Sequence, residues 1–282
     1  MNQLKLKHML EQFFHEDIGD GDLSSELLFP PFAQGQFTLY AKEEGIFCGA
    51  TIITTGFHLL DASIQITFYK QDGDRLTVGD KIADIDGAIR TLLTGERVIL
   101  NLIQRMSGIA TMSAKAVAET VGTQANIVDT RKTMPGLRML DKYAVRTGGA
   151  FNHRSGLYDC IMLKDNHIAL AGSITEAVQR VKQQIGHTVK VEVEIETKEQ
   201  LQEAIDAGAD MIMFDNRTPE EIKRWLPLVP AHIATEASGG ITLHTIRAYA
   251  QSGVQWISIG ALTHSVEALD ISALVTLKGA IV

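Results

Sequence analysis

Cysteine is scarce in this 282-residue chain, and the two that occur are informative by their spacing. Cys48 and Cys160 stand far apart with no CxxC or Cys/His pattern, so neither a zinc site nor a disulfide framework is indicated, and a reducing cytoplasmic location fits. Long apolar runs are missing as well: none approaches the roughly 20 residues that a membrane-spanning helix needs. The opening MNQLKLKHMLEQFFHED becomes charged again too soon for a secretory signal, so a soluble, mature protein is expected. There is no GxGxxG turn, which weakens a dinucleotide-binding reading. The glycines of GDGD (19–22) are not followed by a phosphate-loop lysine, which leaves an acidic turn as the simpler account. Positive charge is in short supply overall: the formal net charge of −8 argues against membranes or nucleic acid as general partners.

The positive charge that exists is concentrated. From Asp129 to His167 the chain carries seven cations (Arg131, Lys132, Arg138, Lys142, Arg146, Arg154, Lys164) against four acids (Asp129, Asp141, Asp159, Asp165). A local +3 in an acidic protein, interleaved with Gly148, Gly149 and Gly156, reads as a pocket for a small, highly charged anion. A nucleic-acid surface would need a wider basic face.

At 45% hydrophobic residues the chain has ample core for one α/β barrel or two smaller domains. Residues 3–16 place Leu4, Leu6, Met9, Leu10, Phe13 and Phe14 at helical spacing, and a loop, EDIGDGDLSS, follows. From Gly35 short β-like runs appear (QFTLYAKEEGIFCG, SIQITFYK, DKIADIDG), with GATIITTGFHLL as a helix between the first two; together they read as a small α+β layer domain. A long amphipathic helix begins near Thr91, and its periodicity puts Arg97 and Arg105 on a solvated face. Beyond residue 120 the pattern is βα: strands in ANIVDT, CIMLKD, VKVEVE, MIMFDN, HIATEAS and WISIGA alternate with helices. Ser173 with Glu176, Thr197 with Gln200, and Thr218 with Pro219 mark helix starts between them. Six evenly spaced strands with crossover helices imply a parallel sheet, closed into a barrel rather than doubly wound.

Strand carboxyl ends converge on one mouth in such barrels, so Asp129, Arg131, Lys132, Lys164, Asp165, Glu194, Asp215 and Asn216 are candidate site residues, with His153 and Arg154 on the loop before the second strand. Thr130, in the same DTRK run, joins them as a substrate-binding candidate. Cations and carboxylates together suit a ligand that is anionic at its ends and becomes cationic, or binds a metal, in its middle. Bland readings stand beside these. Lys164 closes a buried apolar run, where a lysine is costly unless paired or useful. Glu192 and Glu194 share one inward face, and one of them could serve only to neutralise Lys164. His153 could be a structural histidine and Asp215 a turn cap. Ser238, Gly239 and Gly240 open a helix, and Gly260 permits close backbone approach; both resemble late-strand phosphate sites, although GG is also common turn chemistry.

The ordered set EDIGDGDLSS, ERVILNLIQRMSGIAT, DTRKTMPGLR, KYAVRTGGAFNHRSGLYD, KDNHI, VEVE, DN at 215 and 216, EASGGI and ISIGALTHS resembles the quinolinate phosphoribosyltransferases, or carboxylating nicotinate-nucleotide pyrophosphorylases, over most of the chain. The resemblance implies an incomplete (open) TIM-like α/β barrel, residues 111–269, carrying the active site. A small N-terminal α/β sandwich domain, residues 1–110, would be joined by the C-terminal tail from about 270 to 282. It implies phosphoribosyl transfer from phosphoribosyl pyrophosphate to quinolinate with decarboxylation, giving nicotinate mononucleotide, pyrophosphate and CO2. Quinolinate-binding cations would be Arg97, Arg131, Lys132, His153, Arg154 and Lys164, with Lys132, Lys164, Glu194 and Asp215 as the catalytic set. Glu194 and Asp215 would lie near the ribose and Mg2+, and the Ser238–Gly240 and Ile259–Ala261 turns, including Gly239 and Gly260, would cradle phosphate. The family also implies a homodimer with Arg97 acting across the interface, with further association of dimers left open. Met134 replaces a commoner threonine and Ala150 a glycine. A related group linked to molybdenum transport lacks the NHRxGLYD and KDNH combination. Two other readings remain in view: an aldolase-like barrel with Lys164 as Schiff-base lysine, and a non-catalytic anion-binding relative.

Overall fold

Short polar side chains start the helices where their sequence positions imply. Ser173 Oγ accepts from Glu176 N at 3.1 Å, Thr197 and Gln200 cap each other, and Thr218 pairs with Glu221 while Pro219 takes the first helical position. Caps of this kind contribute about 1 kcal/mol each. The computed structural model describes residues 1–278. In chain order the elements are α1 Gln3–Ile18, α2 Leu23–Leu28, β1 Gln34–Ala41, β2 Gly45–Ile46, α3 Ala50–Leu60, β3 Gln65–Phe68, β4 Arg75–Leu76, β5 Lys81–Ala88 and α4 Ile89–Ala118. There follow β6 Asn126–Val128, α5 Arg138–Thr147, β7 Ile161–Leu163, α6 Asp165–Ala171, α7 Ile174–Lys182, β8 Val191–Ile195, α8 Lys198–Asp206, β9 Met211–Asp215, α9 Pro219–Trp225, β10 Ala234–Ser238, α10 Ile246–Gln251, β11 Trp256–Ser258, α11 Ala261–His264 and β12 Ile271–Lys278. No helix among the described residues is long and apolar enough to cross a membrane.

Two compact units result. The first takes Met1–Met112, Met139–Gly148 and the described part of Val266–Val282; the second takes Ser113–Arg138 and Gly149–Ser265. The sequence reading runs the barrel unbroken from 111 to 269, whereas α5 packs with the first unit. Residues 279–282 of the expected tail lie outside the described residues.

In the first unit an antiparallel sheet has the order β12-β1-β5-β3. Its core joins Phe37 and Leu39 of β1 with Leu6 and Leu10 of α1 and Ile52, Ile53 and Phe57 of α3, all at most 1% exposed. Phe37 and Phe57 meet edge to face at 6.2 Å, and each side chain of this size contributes about 1.5–3 kcal/mol on burial. The DLSS end of the expected loop is helical, because Asp22 accepts from Ser25 N at 3.0 Å and caps α2. Arg105 is no solvated-face residue: its Nε and Nη2 both bond the fully buried Asp141 carboxylate of α5 at 2.9 Å. A buried forked pair like this is costly to break from one side, about 3–5 kcal/mol.

The second unit holds a six-stranded parallel sheet in the order β6-β11-β10-β9-β8-β7. The first strand neighbours the last, as in a barrel, yet β6 and β7 do not pair, so the barrel is open rather than closed. Phe151 partly fills the seam. It forms an isolated parallel bridge to Val128, its N–H donating to Ile127 O at 2.8 Å and its carbonyl accepting from Asp129 N at 3.1 Å. Alternation then sets what faces inward: Met162 and Lys164 from the β7 end, Glu192 and Glu194 from β8, Met213 and Asp215 from β9, Glu236 and Ser238 from β10.

Candidate active site

At the carboxyl ends of these strands the second unit encloses a cavity of about 650 Å³. Arg131 and Lys132 reach it from the turn after β6. Thr130 shapes that turn, its Oγ1 accepting from Lys132 N at 3.0 Å, and Thr263 Oγ1 donates to the Lys132 carbonyl at 2.9 Å. Arg138 binds the same loop without lining the cavity: its guanidinium donates to Thr133 Oγ1, Ser155 O and Arg131 O. Lys142 and Arg146 sit on α5 in the first unit. The seven-cation stretch therefore divides, and four of its cations (Arg131, Lys132, Arg154, Lys164) line the cavity.

Lys164 terminates β7, where its backbone N–H donates to His167 Nδ1 at 3.1 Å, the local reason for the KDNH spacing. Its ammonium is ion-paired with the Glu194 carboxylate at the end of β8. Asp215 ends β9 and accepts from the Asn216 side-chain amide at 2.6 Å. Asn216 has φ 51, the one non-glycine residue with positive φ among those described, and its N–H donates to Ser238 O at 2.9 Å. The Ser238–Gly240 turn follows, then Ile259, Gly260 and Ala261 after β11. The glycine turn does not open a helix directly; α10 begins only at Ile246. Gly260 leads into α11, and a Cβ there would lie 2.9 Å from Lys132 Cδ, so the glycine makes room for the lysine stem.

All but one of the expected substrate and catalytic residues line this cavity: Thr130, Arg131, Lys132, His153, Arg154, Lys164, Glu194, Asp215, Ser238, Gly239, Gly240, Ile259, Gly260 and Ala261. Arg97 is exposed on α4 in the first unit. Two strand-end candidates stand elsewhere. Asp165 is exposed in the first turn of α6. Asp129 is fully buried, and accepts from His153 N and Asn152 Nδ2 at 2.8 Å. Glu236 and His264 also line the cavity and escaped the sequence reading. Glu236 had a signal, since it stands two residues before Ser238 on one strand and so shares its face. Neither cysteine is poised as a nucleophile: burial raises Cys48 to about 12 and Cys160 to about 11, so both remain thiols at neutral pH.

Four cations, the carboxylates of Glu194, Asp215 and Glu236, and two glycine turns meet in one barrel mouth, a composition suited to a multiply anionic ligand. The family model for the quinolinate phosphoribosyl transferase C-terminal domain matches residues 109–274, and that for the N-terminal domain matches residues 22–107. A Bacillus subtilis (strain 168) protein, the "Probable nicotinate-nucleotide pyrophosphorylase (carboxylating)", is 57% identical over 278 residues, covering 99% of this chain and 96% of its own length. The Nicotiana tabacum quinolinate phosphoribosyltransferase (decarboxylating) 2b, mitochondrial, is 39% identical, over 95% of this chain and 81% of its own length. Among solved structures, NadC from Streptococcus pyogenes superposes with a TM-score of 0.95 at 39% identity, over 99% of both chains. The chain belongs to the quinolinate phosphoribosyl transferase family.

Proposed function

We propose that this protein transfers the phosphoribosyl group of phosphoribosyl pyrophosphate to the ring nitrogen of quinolinate and releases CO2, forming nicotinate mononucleotide and pyrophosphate for NAD biosynthesis. The observation that carries this reading is one cavity lined by Arg131, Lys132, Arg154 and Lys164 together with the Ser238–Gly240 and Ile259–Ala261 turns, the Lys164–Glu194 pair and Asp215 also lining it. Adjacent carboxylates on quinolinate call for at least two forked or point cations, which Arg131, Lys132, Arg154 and Lys164 supply. The ring nitrogen attacks the anomeric carbon of the ribose as the bond to pyrophosphate breaks. Glu194 and Asp215 oppose the positive charge that develops there. The alkylated ring, now cationic, accepts the electron pair left on its carbon when the neighbouring carboxylate departs as CO2, and that carbon then takes a proton. For this step the protein holds the ring and excludes water.

Mg2+ enters this reading with the donor. Glu194 and Asp215 are hard oxygen ligands but do not belong to a cluster of three ligating side chains among the described residues, a donor set that fits an ion held mainly by substrate phosphates. When bound, it neutralises pyrophosphate as that group leaves. A Schiff-base role for Lys164 is disfavoured by its pairing with Glu194, because a nucleophilic amine must be uncharged. A cytoplasmic location accords with two unpaired thiols.

Incubation with quinolinate, phosphoribosyl pyrophosphate and Mg2+ is expected to yield nicotinate mononucleotide by mass, together with CO2. Uptake of quinolinate without product would leave only an anion-binding protein. Assembly is part of the proposal: the chain forms a homodimer in which the exposed Arg97 completes the partner's site. Mixed Arg97→Ala and Arg131→Ala chains, each inactive, should regain activity as heterodimers, since one of the two sites then keeps both arginines. Inactive mixtures with heterodimers demonstrated would place Arg97 outside the shared site.

A further inference from the structure

Behind the cavity cations the floor of the site is acidic. Glu192 on β8 and Glu236 on β10 are 0% and 1% exposed. Between them hangs the His153 imidazole, with Nε2 3.2 Å from Glu192 Oε2 and 3.4 Å from Glu236 Oε2. The other ring nitrogen is engaged too, since Arg154 N–H donates to His153 Nδ1 at 2.7 Å. This segment is anchored on both sides of the open seam. His153 N–H and Asn152 bond Asp129 after β6, while Arg154 Nη1 donates to Cys160 O at 3.1 Å and Nη2 contacts Met162 Sδ on β7 at 3.6 Å.

Both ring nitrogens thus face protein groups, Nε2 the two carboxylates and Nδ1 the main chain. Burial disfavours a charged ring and the two carboxylates favour one, but a proton on Nδ1 would point at the Arg154 N–H, so Nδ1 is unprotonated and the ring's proton sits on Nε2, facing the carboxylates. That proton also denies Nε2 to a metal ion, although one histidine and two glutamates within 4.8 Å have a suitable composition. A second observation fixes the place of these groups: His153, Arg154 and Glu236 line both the main cavity and a second one of about 440 Å³. They are the partition between the two.

We propose that Glu192 and Glu236 are positioning residues, clamping the His153 ring so that its Nδ1 fixes the Arg154 main chain and the Arg154 guanidinium is held against β7 as the floor cation of the dicarboxylate site. The inference rests on the reading of the cavity as a quinolinate site and deepens it.

Glu192→Gln and Glu236→Gln keep side-chain shape and remove charge. In full-length protein with ¹⁵N-labelled histidine, each is expected to shift the ring-nitrogen resonances of His153. Each should also weaken quinolinate binding roughly tenfold, the equivalent of about 1.4 kcal/mol. Binding of phosphoribosyl pyrophosphate with Mg2+ should stay within about twofold, on the additivity expected of groups that are not coupled. Combining Glu236→Gln with Arg154→Ala should cost less than the two single effects together, because both act on one contact. Ring resonances that move while quinolinate binding holds, equal losses for both substrates, or full additivity with Arg154→Ala would each overturn the clamp. Should Glu192→Gln fail to fold, Glu236→Gln carries the same comparison. Wild-type protein that takes up no quinolinate overturns the pocket reading and the clamp together; wild-type uptake with undiminished uptake by the variants overturns the clamp alone.

Discussion

Lys164→Met is expected to lower kcat/KM by a factor of about 30 to several thousand, corresponding to about 2–5 kcal/mol for truncating one member of a close charge pair. Methionine keeps the length and apolar stem of the side chain, so the loss isolates the ammonium. Two consequences combine. The dicarboxylate loses a point cation at the end of β7, and Glu194, whose side chain is only 11% exposed, loses its ion-pair partner and adds negative charge to a site that must receive anions. Quinolinate should therefore bind more weakly and the chemical step should also slow. The double variant Lys164→Met/Glu194→Gln separates the parts. Removing the stranded carboxylate should restore most of the thermal stability without restoring turnover. Full activity in Lys164→Met, measured as CO2 release, would remove Lys164 from the catalytic set.

Gly239→Ala is expected to weaken phosphoribosyl pyrophosphate binding by roughly two orders of magnitude. Ala at φ +93 is strained by about 1–2 kcal/mol, and the clash adds about 1–3 kcal/mol. A Cβ there would lie 2.2 Å from Asn216 Oδ1 and 2.9 Å from Asn216 N. Asn216 has little freedom to retreat, because it already occupies the left-handed region and its amide donates to Asp215. Displacement thus passes from the Ser238–Gly240 turn, proposed to hold phosphate, to Asp215, proposed to lie near the ribose. Calorimetry with each substrate alone is the measurement, and quinolinate affinity should change little. Gly240→Ala is the control: φ is +62 but nothing lies within 4 Å of the added carbon, so it should cost only the backbone strain. Equal damage from both substitutions would show that the clash with Asn216 is not the cause.

The strand ends were legible because each is a short β-branched or apolar run ended by a charged, polar or glycine residue, and three of them lead on to capped helices at Ser173, Thr197 and Thr218. That grammar is local, and all six parallel strands appear where it places them. Partnership across the chain was not legible. Arg105 reads as a solvated residue at helical spacing, and its partner Asp141 stands 36 positions on, in a helix whose polar sequence conceals its burial. For the same reason the cationic stretch looks continuous in sequence while α5 removes Lys142 and Arg146 to the other unit. Glu192 was placed on the inward face by alternation, but that it meets His153 and Glu236 depends on a loop threading an unpaired seam, and periodicity carries no information on that.

The order of strands in the two sheets also bears on when this protein can fold. The first parallel strand pairs with the last, Asn126 opposite Trp256, and the antiparallel sheet pairs Gln34 with Lys278. Neither sheet can be completed during synthesis until nearly the whole chain has left the ribosome. At elongation rates of about 5–20 residues per second, the strand edge of β1 therefore waits unpaired for roughly ten seconds or more. Pairings this distant in sequence close slowly, since loop entropy is lost before the contacts form. A nascent chain truncated before β12 should be sensitive to protease and prone to aggregation.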